Sequence, residues 1–548
     1  MNLLIKLNSI FKMTSSCVPK FILKTVCLHG IVLSLCGNAF ARDYKNVHHP
    51  QYKDTVDIQI DPKQEYQVMD NFGASDAWSG QYVGLWADSI KNKIADLLFS
   101  LKMDGQGSPM GVGLSAWRFN IGAGSADQGE GSGIKDPWRR AASFLLQDGQ
   151  YDFSKAKGQM WFLKAATMRG VKDFIGFCNS APYPVTINGL TYSNRGRTNL
   201  APNNYGQFAD YLVKIIKGVQ QKTGILFNYI SPVNEPQWDW SDGGQEGSPY
   251  RNKEIASIAR VLNEQLIKNK LSTKISIAEA GEIDYLYEGA NKPERGTQIQ
   301  QFLMQDTDQS LLGLSNLSHK ISAHSYFTTS PFTKAILMRE KLSQMLDSAR
   351  MRSGVADIGY WMSEYCILGD NAGEIDGNHR DLGMTSGLYL AKVIHMDLCY
   401  ANASAWHWWL AISPYDYKDG LIYVDKSVST GKFYDSKMLW AFGNYSRFIR
   451  PGYIRIKDSV LNNGSKDTGL LISSFKDAKK NKLVVVLVNP NQKEQVIRFG
   501  DSNMAYNIKD LYITSAKYNL HHISVDVHKK IYITLPAESV VTMTGRLN

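Results

Sequence analysis

Between about residue 68 and residue 440 the chain repeats one pattern eight times: an apolar run of strand length, then a segment of helix length. The clearest runs are LSAWRFNIG (114–122), VKDFIGFCNSAP (171–182), FNYISPVNEP (227–236), KISIAEAG (274–281), KISAHSYF (320–327), IGYWMSEYC (358–366) and ASAWHWWLA (403–411). A weaker first run is VMDNFGAS (68–75). Segments between them, such as NNYGQFADYLVKIIKGVQQKTG and NKEIASIARVLNEQLIKNK, carry the apolar spacing of amphipathic helices. Strands separated by helices pair in parallel. Eight such units predict an α/β fold closed into a (β/α)8 TIM barrel, with a doubly wound sheet as the alternative.

The polar residues gather late in each run. Asp76, Arg118 and Asn120, Asn179 and Ser180, Asn234 and Glu235, Glu279, His324 and Tyr326, and Glu364 all do so. Trp406, His407, Trp408 and Trp409 close the last run. In a parallel barrel these strand ends share one rim, where catalytic groups collect. One late polar residue means little, because every strand must end; the same placement in run after run is hard to attribute to chance.

After about residue 440 the pattern changes to short, often alternating strands without helices: GYIRIKDS, TGLLISSF, KLVVVLVN, EQVIRFG, YNIKDLYIT, HHISVDV and KKIYITLPAESVVTMTG. These predict an appended antiparallel β-sandwich, and TVDIQIDP (55–62) reads as one more of its strands. At the other end, four lysines precede the apolar run TVCLHGIVLSLC, and Ala39 and Ala41 fit an A-x-A cleavage site. The expected organisation is a secretory signal at 1–41, a sandwich strand segment at 42–67, a barrel at 68–440 and a sandwich at 441–548. A membrane anchor is the alternative for the first segment, whose apolar run is short for a spanning helix. Removing the signal lowers the formal charge of +10 by four, to about +6, and leaves Cys178, Cys366 and Cys399. Three widely spaced cysteines make neither a disulfide framework nor a zinc site. The glycine-rich GAGSADQGEGSG lacks the strand–loop–helix order of a phosphate cradle and reads as a surface loop. Basic residues are scattered, which argues against nucleic acid as the partner.

Two acids stand out. Glu235 ends the fourth run and Glu364 the seventh, so only the fold can bring them together. Rim carboxylates facing each other across a barrel are what glycoside hydrolysis needs: one protonated to serve the leaving oxygen, one ionised to attack or to activate water. Pro236 restricts the backbone before it, which would aim the acid. Asn234 suits a substrate hydroxyl, and Trp78, Trp238, Trp240 and Trp406 suit stacking on sugar rings. A plainer reading of Glu235 is an acid at a helix start. Glu279 reads as a counter-ion for Arg118, and His324 and Tyr326 either cap the core or, for Tyr326, orient the nucleophile.

The stretches NFGASDAWSG, LSAWRFNIGAGS, SPVNEPQWDW, AHSYF, WMSEYC and LPAESVVTMTG together resemble glycoside hydrolase family 30, in family order and over nearly all of the expected mature chain. The resemblance implies a barrel with a side β-sandwich, a retaining mechanism, and no metal or cofactor. It makes Glu235 the acid/base and Glu364 the nucleophile. From their rim positions, substrate contacts are expected from Asp76, Trp78, Arg118, Asn179, Asn234, Trp240, His324, Tyr326 and Trp406. NEPQWDWSDGGQEGS, WRFNIGAGS and DPWRRAASFL are most similar to the endo-β-1,6-galactanase-like branch. The β-1,6-glucanases, xylanases and glucosylceramidases of the family are the alternatives, as is a non-catalytic carbohydrate-binding homologue. The expected partner is a polysaccharide or oligosaccharide, met outside the cell or in the periplasm by a monomer without stable membrane insertion.

Overall fold

The computed structural model describes residues 55–289, 291–370, 372–461, 468–499, 506–525 and 531–547. The expected signal at 1–41 lies outside the described residues. Strand β1 (Thr55–Val68) comes first. Eight more follow: β2 (Asn71–Ser75), β3 (Ala116–Asn120), β4 (Asp173–Phe177), β5 (Tyr229–Ser231), β6 (Lys274–Ala280), β7 (Leu317–His324), β8 (Gly359–Tyr365) and β9 (Ala403–Ser413). They pair in parallel in chain order, and β9 pairs with both β2 and β8. The sheet is therefore a closed eight-stranded barrel, and the doubly wound alternative falls.

Every position of β2, β3 and β9 is buried. Helices cover their outer faces and side chains fill the inside, so these strands carry apolar residues on both faces. Ala116, Ile175, Trp361 and Ala405, with Tyr229 against them, form a packed plug inside the barrel. The helix Tyr205–Thr223 stops at Gly224, whose φ of 79° a side chain would resist. A short extension was not legible in the eight-unit pattern. β10 (Gly420–Val424) runs parallel to β9, and β11 (Phe433–Asp435) runs antiparallel to β10.

The remaining strands are β12 (Ile454–Leu461), β13 (Leu471–Asp477), β14 (Lys482–Asn489), β15 (Gln495–Phe499), β16 (Tyr506–Thr514), β17 (His521–Ser524), β18 (Ile531–Leu535) and β19 (Ser539–Leu547). With β1 they make one nine-stranded sheet in the order β17-β16-β19-β14-β13-β12-β1-β15-β18. β15 and β16 lie near opposite ends of that order, yet the rings of Phe499 and Tyr506 are 6.4 Å apart. The sheet thus curls onto itself around its own apolar cluster, which includes Ile58, Ile456, Val485, Ile497, Leu511 and Val541. Two details differ from an all-antiparallel series of single runs. β1 pairs in parallel with β15, and KKIYITLPAESVVTMTG is two strands flanking Pro536, which has no N–H for the ladder. Pro62 likewise sits where the register between β1 and β12 shifts, between Asp61 and Glu65.

The helix Lys437–Ser446 joins barrel to sandwich. Asn444 on it donates from Nδ2 to the Tyr512 carbonyl at 3.0 Å and to Thr542 Oγ1 at 2.9 Å. Among the described residues no helix is long and apolar enough to cross a membrane.

Candidate active site

Three consecutive barrel strands carry the central charges, and each has an irregular register where it does so. The β6 ladder shifts between Ile277 and Ala280, the β7 ladder between Ala323 and His324, and the β8 ladder between Met362 and Tyr365. Such shifts re-aim side chains. On β8 the consequence is direct: neighbours Ser363 and Glu364 both reach the same network, where strict alternation would send them to opposite faces.

Arg118 on β3 is its hub. One guanidinium nitrogen donates to Glu364 Oε2 at 3.1 Å and the other to Glu279 Oε2 at 3.3 Å, while the group lies 4.3 Å above the Phe177 ring centroid. Glu279 also accepts from Ser363 Oγ at 2.7 Å and pairs with His324 Nε2 at 3.0 Å. The other imidazole nitrogen, Nδ1, is 2.9 Å from Glu235 Oε1 and 3.7 Å from Glu364 Oε1. Tyr326 donates its hydroxyl to Glu364 Oε1 at 3.1 Å.

The buried charges set one another. Burial would raise Glu279, but Arg118 above all, then His324 and Ser363, hold it at about 2. Burial would lower His324, but the carboxylates of Glu364, Glu235 and Glu279 outweigh it and lift the imidazole to about 10. Burial pushes Glu364 above the ordinary glutamate value; His324 and Arg118 pull it back, and the Glu235 charge adds to the rise. One oxygen each of Glu235 and Glu364 and a nitrogen of His324 lie within 4.8 Å of one another. Both ring nitrogens of His324 are engaged by carboxylates of the network, Nδ1 with Glu235 and Nε2 with Glu279.

Glu235 has a φ of 42°, in the left-handed region, and this departs from the extended backbone expected before Pro236. Hydrogen bonds hold it there. Its N–H donates to the Glu279 carbonyl at 2.8 Å, and its carbonyl accepts from Trp238 N at 3.1 Å and Trp240 Nε1 at 3.0 Å. The proline does not by itself aim the acid; the surrounding bonds do.

Glu235 and Glu364 open onto a cavity of about 310 Å³ whose walls include Trp78, Trp240, Tyr326 and Trp409. Two of its walls carry buried polar atoms with no protein partner, Trp78 Nε1 and Asp419 Oδ1; Asp76 Oδ2, both side-chain polar atoms of Asn179 and Asn234 Oδ1 are also unpartnered, but these three residues are not among the cavity walls. Burial raises Asp76 to about 7, against hydrogen bonds from the Asn120 N–H and Gln159 and the charge of Arg118. Buried polar groups ordinarily find partners, and a hydroxyl-rich ligand in the cavity would supply them to Trp78 and Asp419.

One expected substrate contact is corrected. Trp406 is fully buried, donates from Nε1 to Asp397 Oδ2 at 2.9 Å and packs on Tyr365, Trp408 and Phe442, away from the cavity. The ring that lines the cavity is Trp409, edge-on to Trp78 at 5.4 Å. Period two would have found it: His407 points inward to bond Asn71 at 2.6 Å, so Trp409 shares its face while Trp406 and Trp408 point out. Trp238 packs edge-on to Phe327 and is not among the cavity walls. Arg139, at the end of the short 3-10 helix Pro137–Arg139, and Gln245, Tyr417 and Asp419 also line the cavity from the connections between barrel elements, where no periodicity marks them. The glycine-rich loop is tied to the site's surroundings, since Glu246 accepts from the N–H groups of Ala123 and Ser125.

The acidic limb of kcat/KM against pH follows from these shifts. Glu364 is raised, so the limb is expected above pH 4.5, the ordinary glutamate value, with activity rising as the proton leaves. A limb at or below that value in a pH–rate profile would contradict the burial argument.

A family model described as O-Glycosyl hydrolase family 30 matches residues 55–423. An exo-beta-1,6-galactobiohydrolase of Bifidobacterium longum is 24% identical over 329 residues, covering 51% of this chain and 20% of that protein. The chain thus spans about a fifth of the length of that relative. A conserved exported protein from Bacteroides fragilis has a crystal structure matching with a TM-score of 0.80 at 34% identity, over 89% of this chain and 100% of that one. The catalytic domain of family 30 xylanase C from Talaromyces cellulolyticus has the same fold, with a TM-score of 0.65 at 22% identity over 89% of this chain and 99% of that one.

Proposed function

This chain belongs to O-glycosyl hydrolase family 30, and we propose that it is a retaining β-glycosidase that cleaves internal bonds of β-1,6-linked galactan by double displacement. In the first step the Glu364 carboxylate attacks the anomeric carbon. The bond to the leaving oxygen breaks, and Glu235 gives that oxygen its proton. In the second, Glu235 takes a proton from water, the water oxygen attacks the same carbon, and the bond to Glu364 breaks. Arg118 and Tyr326 hold the nucleophile's two oxygens. His324 Nδ1, 2.9 Å from Glu235 Oε1, holds that carboxyl in position.

The observation that carries this reading is the short gap between the two acids. An oxygen of each lies within 4.8 Å of the other, which suits the close pair of a retaining enzyme rather than the gap of roughly 6.5–9.5 Å that admits a water. Proton NMR of the first-formed product is expected to show the β-anomer before mutarotation; an initial α-anomer would mean single displacement and would remove Glu364 from the nucleophile's role.

The galactan assignment draws on the β-1,6-galactan-active relative and on the sequence branch that this chain resembles. A panel of β-1,6-galactan, β-1,6-glucan and glucuronoxylan tests it. Products of mixed length from galactan alone are expected. A single short product would make the action exo, and preference for another polymer would replace the substrate. Export to the periplasm or beyond is proposed on the lysine-flanked N-terminal apolar run and on the exported relative.

A further inference from the structure

A groove of about 450 Å³ lies where the barrel meets the sandwich and shares no lining residue with the catalytic cavity. Its barrel wall comes from the segment leading into β3 and from the chain after the last barrel helix. Segments that lead from a helix into a strand sit at the end of a barrel opposite the catalytic one. Its other wall comes from β16, β19 and β14, three consecutive strands of the sandwich sheet.

Five cations line it: Arg447, Arg450, Lys482, Lys509 and Arg546. The one acid in the lining, Asp510, is engaged by His522 Nε2 at 2.9 Å. Lys482 and Arg546 are direct cross-strand partners in the β14–β19 ladder, both exposed. Like charges placed opposite each other destabilise a sheet, yet here they are joined by a third. Lys509 occupies the register shift of β16 against β19 and is also exposed. The two arginines bond main-chain carbonyls: Arg447 those of Ser100, Gly111, Leu101 and Lys102, and Arg450 those of Gly113 and Ser446. Carbonyls fix a guanidinium in place without cancelling its charge. Among the described residues no carboxylate oxygen lies within 4.0 Å of any of the five.

We infer that this groove is an anion-binding surface that tethers the protein to an acidic polysaccharide, a chain bearing uronate carboxylates, separately from the catalytic cavity. A concave slot of this size admits a single extended chain, whereas a duplex presents its phosphates on a convex face that does not reach recessed Arg447 and Arg450. The choice of a polysaccharide as occupant rests on the glycosidase reading; the charge argument does not. The bond being hydrolysed and the anion being held are on different ends of the barrel, so tethering is expected to leave turnover of small substrates unchanged.

The test compares the full chain with a variant carrying Lys482→Gln, Lys509→Gln and Arg546→Gln, by affinity electrophoresis in gels containing polygalacturonate, neutral β-1,6-galactan or duplex DNA. Polygalacturonate is expected to retard the parent protein at low salt, with the apparent affinity falling about tenfold in the variant and with added salt. Neutral galactan should treat both alike, and hydrolysis of a small aryl β-glycoside should be equal. Absence of retardation by polygalacturonate, or equal retardation of both proteins, overturns the proposal. Tighter binding to DNA than to polygalacturonate overturns it too, by making the groove a nucleic-acid surface. Should the triple variant not match the parent in Tm, Lys509→Gln alone is read, with a loss of about twofold expected and no loss refuting. Binding is measured without turnover, so an inactive protein would refute the glycosidase reading and leave this one standing on its own result.

Discussion

Replacing Glu364 with alanine is expected to cut kcat on the order of 10⁴-fold or more, the scale seen when a covalent nucleophile is removed. The loss should be chemical and not structural, because Glu364 has Arg118 as a partner that keeps Glu279 when the carboxylate goes. Azide supplies the decisive readout. In the Glu364→Ala protein it can enter the vacated space, attack an activated β-glycoside and give the α-glycosyl azide after one inversion. In Glu235→Ala the nucleophile still acts first, so azide should replace water in the second step and give the β-glycosyl azide. Glu235→Ala should also spare substrates with good leaving groups, which need no proton, far more than natural glycosides. An α-azide from the Glu235 variant would exchange the two roles.

Arg118→Leu is expected to cost roughly 3–5 kcal/mol of folding stability, the usual result of removing one member of a buried ion pair. The physical reason is specific. Arg118 is the lysine- or arginine-type charge paired with both Glu279 and Glu364, and all three side chains are almost fully buried. Without it two carboxylates stay in a low-dielectric interior with only His324 as a cation. Chemical denaturation read by tryptophan fluorescence measures the change. A loss under about 1 kcal/mol would mean the network is solvated and the Glu279 shift to about 2 is not created by Arg118.

Much of the barrel was legible because its signal is periodic and repeated. Each of the eight apolar runs overlaps one barrel strand, and burial on both faces is what made those runs continuous. The two acids were legible because each closes a run. What surrounds them was not. Trp406 and Trp409 are three residues apart in one apolar run, and only the inward partner of His407 decides which of them meets the cavity. Asp419 and Arg139 come from connecting segments that carry no period. The register shifts on β6, β7 and β8 were invisible for a related reason: a local change of backbone leaves no mark on an alternation already hidden by two-sided burial. The left-handed backbone of Glu235 ran against the proline rule, since long-range hydrogen bonds override a local preference.

The position of β1 in the sandwich has a consequence for biosynthesis. Its Ile58 pairs with Val460 and its Val56 with Ile497, so its neighbours leave the ribosome only after the whole barrel has been made. At about 5–20 residues per second the delay is tens of seconds. Throughout that interval β1 is a strand with two open edges, and open edges recruit other chains. Its own sequence answers the hazard: TVDIQIDPKQEYQV places charges at Asp57, Asp61, Lys63 and Glu65 and a proline at 62. These residues disfavour pairing with a stranger while still allowing a bulged register with β12. The nascent chain thus carries its first sandwich strand guarded until β12 and β15 emerge to claim it.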